Sequence, residues 1–302
     1  MNGKAWLSVS VVAVIGVVVA CKPGDKRDGG AAARANAPAK TATITGFQTP
    51  ESVLWDSTLD VYFVSNINGN PIAKDGNGFI SVVDPAGTIR DSAFIKGLNA
   101  PKGMAVIGDT LWVTDIDVIR GYNARTRAAV ATVSIPGAVF LNDIVAAPDG
   151  SLYITDTAIR FGAQGPEHVG HDRIFKVAPD RKVSIALESD SLGRPNGITW
   201  DRANDRFIVV PFGVGKLFGW KPDQAPSTIG TGPGQFDGVE VAGNAIWVSS
   251  WADSSVYRYV DGQGTNMIKG VPSPADIGYD AKRKRVLIPV FMGNTVEIWQ
   301  VD

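Results

Sequence analysis

One cysteine, Cys21, and two histidines, His168 and His171, are the only thiol and imidazole groups in 302 residues. A Cys/His zinc cluster and a disulfide framework are thereby excluded. An excess of charge is missing too: 29 Lys and Arg stand against 30 Asp and Glu, which leaves no electrostatic footprint for nucleic acid. There is no G-x-S-x-G elbow, no P-loop and no H-E-x-x-H motif, so the sequence signatures of serine hydrolases, P-loop NTPases and zincins are missing. No amphipathic helical pattern follows the first 20 residues, and a dinucleotide fold built on βαβ units is not expected.

The only long apolar run is Ala5 to Ala20, preceded by Lys4. It is short for a membrane span, which needs about 20 apolar residues, and it has the form of a signal-peptide core. Its end, Val18-Val19-Ala20-Cys21, resembles a bacterial lipobox, in which the cysteine becomes the first residue and is acylated. The plainer alternative is an ordinary secretory signal followed by a spare thiol. Residues 1–20 are read as a lipoprotein signal peptide. Residues 21–40, rich in Ala, Gly, Pro and charge, are read as the lipidated Cys21 and a flexible tether. Lys22 rather than Asp follows the cysteine. The expected location is therefore the periplasmic side of the cell envelope, with the outer membrane favoured over the inner.

Residues 41–302 repeat. A polar pair, an apolar strand, a hairpin turn and a strand carrying aromatic or β-branched residues recur six times. The copies begin at Glu51, Lys102, Asn142, Asn196, Asp237 and Ala275, at intervals of 51, 40, 54, 41 and 38 residues. Periods near 40–50 residues point to propellers or solenoids. Each copy is followed by a third strand, such as FISVVDPAG or RIFKVAPDR, with D-P, P-D or D-G turns,. A weaker fourth strand follows all copies but the last, and TATITGF at Thr41–Phe47 can supply the missing one. The expectation is an all-β, six-bladed β-propeller with four-stranded blades, closed by an N-terminal strand that joins the last blade and removes the open sheet edges. Trp112, Tyr153 and Trp247 fall at equivalent places in second strands and are expected to pack between blades.

In such a ring the first strands line the central channel, so their leading residues converge at one mouth. Here these are Glu51, Lys102, Asn142, Asn196, Asp237 and Ala275. Two carboxylates so placed repel each other or take up a proton. A dication resolves the conflict, and all-oxygen ligands favour calcium among the hard cations, other divalent ions remaining open. The alternative is a polar channel satisfied by hydrogen bonds and water. Lys102 is expected to pair with a carboxylate or bind a substrate anion, pairing being preferred. His168 and His171 lie in a long insertion of the third copy, AIRFGAQGPEHVGHDR. Such loops emerge on the metal side, as do NINGNPIAKDGNG, PFGVG and SWADS,. The histidines are read as exposed loop residues, as a substrate contact or proton shuttle, or as ligands; His171 is the named candidate for substrate contact.

Four motifs, TPESVLWD, LNDIVAAPDGSLYITD, GRPNGITWD and FDGVEVAGNAIWVSS, resemble those of the senescence marker protein 30/regucalcin/gluconolactonase family, calcium-dependent six-bladed propellers that hydrolyse sugar lactones. The resemblance implies that Glu51, Asn196 and Asp237 hold the metal. It implies that Asp237 also acts as acid/base, and that Asn142 contacts substrate or the water beside the metal. It departs at Phe140, where the family usually has an arginine that helps bind the sugar, which opens the way to a more apolar lactone or ester. The function expected is a calcium-dependent hydrolase of a lactone or related ester, acting as a monomer on a small molecule and touching the membrane through its lipid alone. The alternative is a non-catalytic periplasmic binding or scaffold propeller with a structural metal.

Overall fold

The computed structural model describes residues 1–3, 37–162 and 164–301. The chain divides into Met1–Ala35 and Asn36–Asp302. The expected signal peptide and most of the expected tether, Cys21 included, lie outside the described residues.

Asn36–Asp302 folds as six four-stranded antiparallel sheets. Five blades run in chain order from first strand to fourth, as in Pro50–Asp56, Val61–Asn66, Gly78–Val83 and Ile89–Leu98 of blade one. The hairpin between first and second strands contains one residue in the left-handed region in every blade: Asp60, Gly108, Gly150, Asp205, Gly243 and Lys284. That requirement explains the Gly and Asp at these turns, since they tolerate positive φ best.

The last sheet is completed by Ala39–Thr45, which pairs with Thr295–Gln300 through Ile44 opposite Val296. The expected closing strand is present, two residues earlier than its sequence pattern indicated. Phe47 falls outside it and is buried against Val53 and Leu287. Closure is reinforced between blades six and one. Tyr62 donates to Asp280 at 2.7 Å, and Lys282 and Arg283 clasp Asp60 at 2.7 and 2.6 Å.

The core is a set of layers between neighbouring blades rather than one central mass. Trp112 of blade two packs with Leu141, Ile154 and Phe175 of blade three. Tyr153 of blade three stacks with Phe207 and Trp220 of blade four, with Tyr153 and Phe207 centroids 4.4 Å apart. Trp247 packs on Val286 and Ile288 of blade six. Trp112, Tyr153 and Trp247 thus fill the interblade layers, as their equivalent positions in the repeats implied.

The candidate site at the channel mouth

A repeated irregularity builds the site. In five blades the pairing of first and second strands slips by one residue at the start of the first strand, as between Pro50↔Asn66 and Val53↔Val64 and at Pro101, Leu141, Pro195 and Phe236. A bulge of this kind leaves residues without ladder partners and re-aims side chains. The bulged pairs include Glu51-Ser52, Lys102-Gly103, Asn142-Asp143, Asn196-Gly197 and Asp237-Gly238.

At the second residue of each pair the first strands touch. A Cβ on Gly103 would stand 2.4 Å from Asp143 Oδ1, and one on Gly238 2.2 Å from the Ile277 nitrogen. Only glycine permits that approach. The two aspartates at this level knit neighbouring strands. Asp143 accepts from the Ile198 N–H at 2.7 Å, and Asp276 accepts from the Ser52 hydroxyl at 2.5 Å.

Second-strand hydroxyls satisfy the backbone that the bulges free. Asp143 N–H donates to Thr155 Oγ1 at 3.0 Å, and that hydroxyl donates to the Asn196 carbonyl of the next blade at 2.5 Å. Thr114 donates likewise to the Asn142 carbonyl at 2.6 Å, and Ser249 to that of Ala275 at 2.8 Å. Ser65 accepts from Ser52 N–H at 2.9 Å. The strand ends are held by carboxylates: Asp156 accepts from Val139 and Phe140 N–H, and Asp115 from Asn99 and Ala100 N–H. The carbonyls of Asn142, Asn196 and Ala275 are therefore held by the second strand of the preceding blade.

Glu51, Asn142, Asn196 and Asp237 are all buried. Glu51 is held well above the usual carboxylate range, first by burial and then by the charge of Asp237. Asp237 is raised by burial and by Asp276, while the Trp251 indole and the Asn196 amide pull it the other way. Asn142 Nδ2 donates to Thr157 Oγ1 at 3.1 Å, and Thr157 donates to the Pro195 carbonyl at 2.9 Å. That relay commits the amide nitrogen and leaves Asn142 Oδ1 as the atom available to a ligand.

Six buried side-chain polar atoms among the described residues lack a partner, and four belong to this group: Glu51 Oε2, Asn196 Oδ1, Asp237 Oδ1 and Trp251 Nε1. Buried polar groups are nearly always satisfied. Three unsatisfied acceptor oxygens, two of them from carboxylates, are the complement of a hard dication. No three Cys, His, Asp or Glu side chains form a metal-holding cluster among the described residues. The candidate set has two carboxylates and is completed by amides, a composition that fits an oxygen-seeking cation.

One expectation needs correction. Lys102 has no ion pair among the described residues. It is 1% exposed, with Nζ 4.2 Å from the Phe140 ring centre and 3.3 and 3.4 Å from the Ala100 and Pro71 carbonyls. Burial lowers its pKa to about 8, against the pull of Glu51. The Asp115 and Asp156 carboxylates, spent on backbone N–H groups, act on it only at a distance. Of the histidines, His171 pairs with Asp190 at 3.0 Å, both well exposed. His168 lies 2.7 Å from Asp172. Asp172 is fully buried and accepts from Arg194 N–H at 2.7 Å, two residues before Asn196. The insertion forms an extra hairpin, Ile159–Gly162 with Gly165–His168.

Trp251 was missed as a site residue. It directly follows the second strand of blade five. The visible signal was its place in the SWADS loop, on the side where the first strands begin.

A six-bladed propeller with a buried oxygen-donor set at the axis is the class of protein that fold and site define. Residues 49–277 match the model of the SMP-30/gluconolactonase/LRE-like region, and the chain belongs to that family. Among solved structures, a gluconolactonase from Xanthomonas campestris is similar, with 17% identity over 88% of this chain and 95% of that one and a TM-score of 0.68. A putative gluconolactonase gives 16% identity, 89% and 93% coverage and a TM-score of 0.66. A chain of the nidogen/laminin complex gives 20% identity, 73% and 80% coverage and a TM-score of 0.60. No curated protein matches the sequence.

Proposed function

We propose that the protein is a metal-dependent hydrolase of a lactone or related ester, with calcium as its cation. The observation that carries this reading is that Glu51 Oε2, Asn196 Oδ1 and Asp237 Oδ1, each at the start of a first strand, are buried without a hydrogen-bond partner. Family membership supports the reaction class. Fold alone would not, since propellers host unrelated functions.

Glu51, Asn196 and Asp237 would hold the cation, with Asn142 Oδ1 beside them. When bound, the cation supplies a Lewis acid that polarises the substrate carbonyl and offsets negative charge on its oxygen. Asp237 takes a proton from the attacking water and returns it to the leaving alkoxide, so that water adds across the acyl C–O bond and a hydroxy acid results. Asn142 orients substrate or water, its amide locked by Thr157. Lys102 holds positive charge near Glu51 without touching it. In the same proposal Cys21 carries a lipid that places the enzyme in the envelope, and Cys21→Ser releases it to the soluble fraction.

The test is hydrolysis of a lactone panel by the full chain, with calcium and with chelator. Turnover that chelator abolishes, and that Asp237→Ala removes while the fold survives, is the expected result. If no lactone or ester is turned over in calcium, and Asp237→Ala changes stability alone, the protein is a binding or scaffold propeller.

A further inference from the structure

The residue immediately after each second strand occupies an equivalent place in the ring: Ile67, Ile116, Thr157, Phe212, Trp251 and Phe291. In five blades its N–H donates to the carbonyl two positions before the mouth residue: Ile67 to Thr49, Thr157 to Phe140, Phe212 to Arg194, Trp251 to Gln235 and Phe291 to Ser273, at 2.9–3.1 Å. The bond sets each of them beside its mouth residue, on the face where the donor oxygens gather. Five of the six are apolar.

These side chains touch in sequence round the ring. The Phe212 and Trp251 ring centres are 5.9 Å apart, and those of Trp251 and Phe291 5.4 Å. Phe291 packs in turn on the cluster of Ile67, Ala100 and Ile116. Blade three interrupts the series with Thr157, whose hydroxyl is already committed to Asn142 and Pro195. There Phe140 and, from the extra hairpin, Phe161 form a separate aromatic pair with ring centres 6.2 Å apart. Phe161 is 41% exposed, a large apolar surface left open to solvent beside the mouth.

The ring faces of Phe212, Trp251 and Phe291 offer no hydrogen bond to a sugar hydroxyl, and two polar groups of the mouth are already engaged, Lys102 against Phe140 and Asn142 Nδ2 by Thr157. A polyhydroxylated ring set on this wall would lose water without regaining hydrogen bonds, which is unfavourable. An aryl or alkyl group would gain burial and aromatic packing.

We infer that the substrate carries an aromatic or branched alkyl substituent rather than a polyhydroxylated ring, and that this substituent packs on the wall formed by Phe212, Trp251 and Phe291. The inference rests on the hydrolase reading for its chemistry, but the wall can be tested apart from turnover. Hydrolysis of γ-phenyl-γ-butyrolactone and of glucono-δ-lactone is compared in calcium, with the full chain. The phenyl compound has the higher kcat/KM by at least tenfold. Trp251→Ala and Phe212→Leu each reduce that preference several-fold through KM, their folding checked by circular dichroism. Trp251→Phe keeps an aromatic wall and leaves the ratio of the two compounds unchanged. Equal or better hydrolysis of the polyhydroxylated lactone, or a preference untouched in Trp251→Ala and Phe212→Leu, overturns the inference and leaves the hydrolase intact. Should neither compound be turned over, calorimetry with the corresponding lactams decides the wall, and the lactone and ester panel decides the hydrolase reading. At least tenfold tighter binding of the phenyl lactam supports it, and equal affinity contradicts it.

Discussion

The Thr155 hydroxyl of blade three donates to the Asn196 carbonyl of blade four at 2.5 Å while accepting from Asp143 N–H at 3.0 Å. One side chain thus satisfies the bulge of its own blade and fixes a site residue of the next. Thr114 repeats the donation to Asn142, and Ser249 that to Ala275. Blade four has Val210 at the equivalent place, so Asp237 receives no such stitch.

Thr155→Val keeps the shape and removes both bonds. The stranded N–H and carbonyl cost about 1–3 kcal/mol each. The variant is expected to melt roughly 4–24 °C lower, at about 2–4 °C per kcal/mol for a domain of this size. A displaced Asn196 is also expected to weaken cation binding, measurable by calorimetry. A melting temperature equal to that of the wild type would remove the stitch from the account.

Asp237→Asn separates stability from function. Burial and Asp276 raise the pKa of Asp237, and Asp237 raises that of Glu51. Without a cation, neutralising one carboxylate relieves this conflict. In chelator at neutral pH the variant is expected to melt above the wild type; in calcium it gains nothing and the order reverses. Thermal denaturation in both buffers checks the crossing. A variant less stable than wild type in chelator would mean that the carboxylates do not oppose each other.

Much of this architecture is legible in the sequence because blades are local units. Each hairpin, with its turn residues and alternation, is written within some 40–50 residues, and the absent sixth fourth strand points to the N-terminus. The mouth residues are legible for the same reason, as equivalent positions in a repeat. Interactions across blades are not. Lys102 has a carboxylate as its neighbour in the ring, yet the structure sets it on Phe140 and two carbonyls, a choice made by the loop that carries Pro71. His171 and His168 look alike in the insertion, and only the buried Asp172 distinguishes them. The apolar collar is encoded one residue beyond each second strand, where alternation patterns end.

Gly238→Ala tests the contact of first strands around the axis. Its Cβ would meet backbone, the Ile277 nitrogen at 2.2 Å and the Asp276 Cα at 2.6 Å, so no flexible side chain can yield. Overpacking of this kind costs about 1–3 kcal/mol or more. Gly230→Ala, also outside the left-handed region and with the Tyr259 ring at 3.2 Å as its nearest neighbour, is the control for the backbone. A drop in melting temperature no larger for Gly238→Ala than for Gly230→Ala would contradict the close approach.

Glu240 gives the fold a pH dependence of known sign. Burial, then the charge of Asp276, push its pKa up to about 8, against N–H groups of Val241 and Tyr279. The folded state therefore binds more protons than the unfolded chain between the ordinary carboxylate range and pH 8. Stability falls as pH rises through that window, and the penalty is complete above it. In chelator, Glu240→Gln is expected to match the wild type near pH 4.5 and to melt higher at pH 9. Parallel stability curves for the two proteins would contradict the assignment.

Calcium titration of the full chain by calorimetry, with Asp237→Asn and Glu51→Gln alongside, addresses the central claim most directly. One ion per chain is expected for the wild type, with binding weakened at least tenfold in both variants. An absence of heat at millimolar calcium, or the same affinity in all three proteins, would show that these oxygens do not share a cation.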